Sequence, residues 1–141
     1  MLSEQFVTET LSRAGWWKKQ NIYIIGEVVK PVWKTILECL SFWVNTFSKK
    51  SYAIVNKTED GVAVIPFHFK AISSAPIPDM ERSYFIPSNQ ISSISFKKAF
   101  LAKKLILATT DGKALKFIVF DSNGKVPHHE ENLKQWMALY A

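Results

Sequence analysis

At 141 residues, 48% hydrophobic and 21% charged, the chain has the length and composition of one globular domain, which excludes disorder as its main state. Its formal charge of +6 is spread along the chain rather than gathered in a tail, and favours an anionic partner such as a membrane surface, nucleic acid or an acidic protein. Cys39 is the sole cysteine, so no intramolecular disulfide can form and nothing marks an oxidising compartment.

The opening stretch MLSEQFVTETLSRAG carries Glu4 and Glu9 and mixes polar with apolar residues, unlike the basic start and apolar run of a signal peptide. A cytoplasmic location is expected. Leu2, Phe6, Val7, Leu11 and Ala14 predict a short helix that stops at Gly15, ahead of Trp16 and Trp17. Further on, KPVWKTILECLSFWVNTFSKK puts Trp33, Ile36, Leu37, Leu40, Trp43, Val44 and Phe47 on one helical face. Lys34, Glu38 and Asn45 interrupt the roughly 20 apolar residues that a spanning helix needs. An amphipathic helix over 31–47 is predicted, with Pro31 in its first turn. Residues 1–48 are therefore expected as a helical extension packed on a unit formed by 49–141.

Beyond Lys50 the apolar period changes to two. SYAIVNKTEDGVAVIPFHF reads as two strands around Glu59-Asp60-Gly61, and KKLILATTDGKALKFIVF as two more around Asp111-Gly112. Between them, RSYFIPSNQISSISF gives a strand up to Ile86, a break at Pro87 and a further strand from Gln90 to Phe96. The result is a meander of five or six antiparallel strands. Asn123-Gly124 then turns the chain into a helix with Glu130 and Glu131 in its first turn and Leu133, Trp136, Met137 and Tyr140 on one face. That helix is expected to cap the sheet and to bury Trp136.

From about Gly26 to Ala141 the chain resembles the bacterial pleckstrin-homology-like family, related to PH and GRAM modules. The resemblance lies in GEVV at Gly26–Val29, YAIVNKTEDGVAVIP at Tyr52–Pro66, IPSNQISSISF at Ile86–Phe96, the hairpin LILATTDGKALKFIVF and the closing helix. It implies an α+β fold: a PH-like curved antiparallel sheet or half-open barrel, capped by a C-terminal helix and here preceded by N-terminal amphipathic helices. Strands with both faces partly apolar, such as Leu105, Leu107 and Thr109 against Ile106 and Ala108, need cover on two sides and lead to the same architecture.

No motif for catalysis emerges. There is no phosphate-cradling glycine loop, His-Glu-x-x-His, Cys-x-x-Cys or Gly-x-Ser-x-Gly. His128 and His129 point about 100° apart on a helix, which suits a solvated helix start better than a metal site. His68 reads as an ordinary strand histidine, and Cys39 as a small apolar residue with no neighbouring base. No enzymatic role, cofactor or metal is expected. LKFIVF at Leu115–Phe120 is similar to the aromatic strand of RNA-recognition modules, but it lacks their glycines, and Phe117 and Phe120 fall on opposite faces. Nucleic acid is disfavoured.

The remaining feature is SFKKAFLAKKL, Ser95–Leu105. If Phe96 ends one strand and Lys104 begins the next, KKAFLAK is a basic loop on the rim of the sheet, with Phe100 and Leu101 at its tip. Basic rim loops bind anionic head groups or partner proteins in PH domains, so the resemblance points to Lys97, Lys98, Lys103 and Lys104. Lys113 and Lys116 on the next strand extend the patch. Two outcomes stay open: an exposed tip that inserts at an anionic lipid surface, or a tip folded onto the core beneath a solvated edge. The expected function is a non-catalytic binding module, peripheral at the inner face of the membrane. The alternative is a protein-interaction or self-assembly module, as a homo-oligomer or with an acidic partner protein, in a regulatory or immunity role.

Overall fold

A computed structural model describes residues 2–29, 51–69 and 75–140. The fold is α+β: an open, eight-stranded antiparallel sheet with a C-terminal helix. Helix α1 runs over Glu4–Ala14. The Ser3 side chain caps it by accepting from Phe6 N–H, and Gly15 ends it in the left-handed region at φ 79°, where glycine carries no Cβ penalty. The expected helix over 31–47, and Cys39 with it, lies outside the described residues.

The strands are β1 (Ile22–Val28), β2 (Tyr52–Lys57), β3 (Gly61–Phe69), β4 (Pro76–Pro78), β5 (Tyr84–Pro87), β6 (Ile91–Ala99), β7 (Ala102–Thr109) and β8 (Ala114–Phe120), followed by helix α2 (His129–Tyr140). Their order across the sheet is β4-β3-β2-β1-β8-β7-β6, with β5 paired to β3. β1 thus lies within residues 1–48 yet is hydrogen-bonded between β2 and β8. A division at residue 48 does not separate helices from sheet.

The β2–β3 turn depends on Gly61. A Cβ there would stand 2.1 Å from the carbonyl oxygen of Ile86, because β5 pairs directly alongside at Gly61–Pro87. Only glycine admits so close a backbone.

Both faces of the sheet carry core. On one, Ile24, Val55, Val64, Leu105, Leu107 and Phe117 pack with Leu133 and Trp136 of α2. On the other, Ile25, Ile54, Ile65 and Phe67 pack with Val7 and Leu11 of α1, and Phe6 meets Phe67 edge-on at 5.5 Å. Two-sided burial explains the runs of consecutive buried residues in β1, β2 and β3.

β1 and β8 pair only at Glu27–Ile118 and Val28–Phe117 and then part. Where they part, three side chains from one face of α2 bond to the backbone of β1. Ile25 N–H donates to His129 Nδ1 at 3.1 Å, Asn132 Nδ2 donates to the Tyr23 carbonyl at 2.9 Å, and Trp136 Nε1 donates to the Ile22 carbonyl at 2.6 Å. His129 also donates from Nε2 to the Phe120 carbonyl at 2.7 Å, so the neutral imidazole ties β1 to β8. His129 is 1% exposed. The expectation of a solvated helix start therefore fails for His129 and fits only the exposed His128. Glu4 joins α1 to this corner by accepting from His128 N–H at 2.9 Å and from the Tyr23 hydroxyl. Burial and the Glu4 carboxylate push the Tyr23 phenol up.

Candidate functional site

The β6–β7 hairpin is tighter than the sequence suggests. Its ladder runs without a break through Phe96–Leu105, Lys97–Lys104, Lys98–Lys103 and Ala99–Ala102, leaving Phe100-Leu101 as a two-residue turn. Lys97, Lys98 and Lys103 stand on the strands, as Lys104 does, rather than in a loop, which corrects the seven-residue KKAFLAK loop read from the sequence. The turn was hidden because tight hairpins usually announce themselves with Asn-Gly, Asp-Gly or Gly-Gly. Here Leu101 itself takes the left-handed conformation, at φ 54°, the one described non-glycine residue with positive φ.

Of the two outcomes left open for the tip, the structure has the exposed one. Phe100 is 90% and Leu101 67% exposed, the largest exposures among the described large apolar residues. A third apolar residue stands beside them. Phe120, 50% exposed, is opposite Ala102, and Asp121 N–H donates to the Leu101 carbonyl at 3.3 Å. Sequence reasoning missed Phe120; its place on the opposite strand face from Phe117 was the available signal.

The lysines are not equivalent. Lys97 and Lys104 are directly opposed on one face, and Lys98 and Lys103 on the other. Lys103 is engaged, with its ammonium 2.9 Å from Asp121 and its side chain only 19% exposed. Lys97 and Lys98 are exposed and Lys104 is half-buried. Lys116 lies opposite Ile106, on the face shared by Lys97 and Lys104, and extends the basic strip away from the tip. Lys113 precedes β8 at the far end of the β7–β8 hairpin, where its N–H donates to Asp111 at 3.1 Å, so the structure does not bring it to the tip. The hydrogen bond from the Thr109 hydroxyl, and after it the bond from Lys113 N–H, hold the Asp111 carboxyl below its ordinary range.

A separate recess of about 460 Å³ opens on the α1 side of the sheet, lined by Ile25, Tyr52, Phe67, Phe69, Phe120 and Lys125 among others. It is aromatic, and the one imidazole in its lining, His129, is committed to two backbone bonds. Among the described residues there is no group of three or more His, Cys, Asp or Glu side chains placed to hold a metal, and no helix long and apolar enough to cross a membrane. Compared with family models, with curated proteins and with solved structures, the chain matches none.

Proposed function

We propose that this protein is a non-catalytic, PH-like binding module that attaches reversibly to an anionic membrane surface, at the cytoplasmic leaflet, by inserting the β6–β7 hairpin tip. The observation that carries the reading is the exposure of Phe100 and Leu101 at a tight turn flanked by lysine pairs on both strand faces. An apolar pair held in water is unfavourable, and a strained turn that keeps it there suits insertion at an acyl boundary. Each nearby lysine adds about 1 kcal/mol of attraction to an anionic leaflet. Phe120 extends the apolar tip and Lys116 the basic strip. In support of the PH-like part stand the antiparallel sheet, its C-terminal helix and the resemblance of Gly26–Val29, Tyr52–Pro66 and Ile86–Phe96 to that family.

Co-sedimentation with phosphatidylserine vesicles, against neutral phosphatidylcholine vesicles and with salt raised to about 0.5 M, tests the reading, because added salt shortens the reach of exposed charges. Binding is expected on the anionic vesicles alone and to fall steeply with salt. Phe100→Ser should weaken it with an unchanged melting temperature. Equal binding to both vesicles, or a lower melting temperature with intact binding, would overturn the proposal.

A further inference from the structure

The two ends of the sheet are finished differently. At one end β4 is a short strand, Pro76-Ile77-Pro78, in which two prolines lack the N–H that a further strand would need. At the other end β6 is nine residues long, contains no proline, and has β7 as its only strand neighbour among the described residues.

The hydrogen-bond pattern shows which groups of β6 face outward. Asp121 N–H donates to the Leu101 carbonyl and Thr109 N–H to that of Lys113, so odd-numbered residues along β7 bond to β8. The even-numbered residues from Ala102 to Ala108 therefore bond to β6, through Ala99, Lys97, Ser95 and Ser93. Ile94, Phe96 and Lys98 turn their N–H and C=O groups away from the sheet. Phe96 packs edge-on against Trp136 of α2 at 6.3 Å, and Ile94 joins the same core, so the surface beside these two is apolar. Lys97 and Lys98 follow, and neither β6 nor β7 contains an acidic residue.

We propose that the outer edge of β6 docks an extended acidic segment of a partner protein, which adds to the sheet as an antiparallel strand. The register specifies the ligand. Read from its N-terminus, the segment lies opposite Lys98, Lys97, Phe96, Ser95, Ile94 and Ser93 in turn. It is therefore two acidic residues followed by alternating apolar and polar ones. The backbone supplies affinity and the side chains supply order. This site uses the strand edge and not the apolar tip; it shares Lys97 and Lys98 with the membrane reading, and a titration without lipid keeps the two apart.

The probe is the peptide acetyl-Glu-Glu-Val-Thr-Val-Thr-amide, titrated without lipid into the ¹⁵N-labelled full chain. A dissociation constant of about 0.1–1 mM is expected for so short a strand, with the largest amide shifts at Ile94, Phe96 and Lys98. N-methylation of the first valine, opposite Phe96, removes a donor to β6 and should weaken binding at least about tenfold. N-methylation of the first threonine, opposite Ser95, alters an N–H that points away and should change binding by less than about twofold. A peptide with the two acids moved to the C-terminal end should bind more weakly. Equal effects of the two methyl groups, shifts centred elsewhere, or no shift at about 1 mM peptide would overturn the proposal. Line-broadening on β6 that grows with protein concentration alone would assign the edge to a second copy of the chain and overturn it too.

Discussion

The indole of Trp136 donates to the carbonyl of Ile22 at 2.6 Å, fixing the last turns of α2 against the start of β1. Trp136 is fully buried and meets Phe96 and Tyr140 at ring-centroid distances of 6.3 and 5.8 Å. Trp136→Ala should cost about 3–5 kcal/mol, enough to unfold a marginal domain. Trp136→Phe keeps most of the packing and strands the Ile22 carbonyl, at about 1–3 kcal/mol. Urea denaturation of the two variants separates packing from hydrogen bonding; an unchanged midpoint in both would displace α2 from this position.

His129 makes stability depend on pH. Burial holds its imidazole below the ordinary value of 6.5, partly opposed by the bond to the Phe120 carbonyl and by the Glu4 and Glu130 carboxylates. Protonation would also remove the acceptor that Ile25 N–H uses. The unfolded chain then binds the proton more readily than the folded one, so stability is full above about pH 6.5 and is lost as pH falls from there toward the lower folded value. Melting temperatures across that interval should decline for the parent protein and less for His129→Gln. Parallel profiles would remove His129 as the cause.

How much of this was legible in the sequence follows from range. The stop of α1 at Gly15, the turns at Gly61 and Gly112, and the apolar face carrying Leu133 and Trp136 are local signals, and the structure has each of them. β1 was hidden because its burial on both faces suppresses the alternation by which a strand is recognised, and its partners Tyr52–Lys57 and Ile118 are distant in sequence. For His129 the sequence predicts a solvated helix start, because nothing local shows that β1 and β8 part in front of it. At the candidate site, the lysines and the apolar pair were readable. Their division into two faces, and the loss of Lys103 to Asp121, depend on a register that a two-residue turn without glycine concealed.

That division sorts the lysines by consequence. Replacing Lys97, Lys98 and Lys104 together by Ser should reduce binding to phosphatidylserine vesicles by up to about 3 kcal/mol, near 150-fold, at about 1 kcal/mol each. Lys103→Ser should have a smaller effect, because its ammonium already faces Asp121 at 2.9 Å. Lys113→Ser at the far end of the β7–β8 hairpin should have almost none. A ranking with Lys113 above Lys97, measured by co-sedimentation, would move the basic surface away from the hairpin.

Leu101 offers the sharpest separation of stability from function. At φ 54° its Cβ crowds the backbone, at a cost of order 1 kcal/mol, while its side chain is 67% exposed and supplies little packing to offset it. Leu101→Gly removes the crowding and should leave the melting temperature unchanged or raise it, with the greater freedom of glycine in the unfolded chain taking back part of the gain. The same change deletes an apolar group from the tip and should weaken anionic-vesicle binding by about 1–2 kcal/mol, in line with the transfer of a leucine side chain. Leu101→Ala keeps the crowding while losing most of the apolar surface, so it should bind as poorly as the glycine variant and be the less stable of the two. A glycine variant that is both less stable and fully competent in binding would mean that Leu101 serves the fold and not the surface.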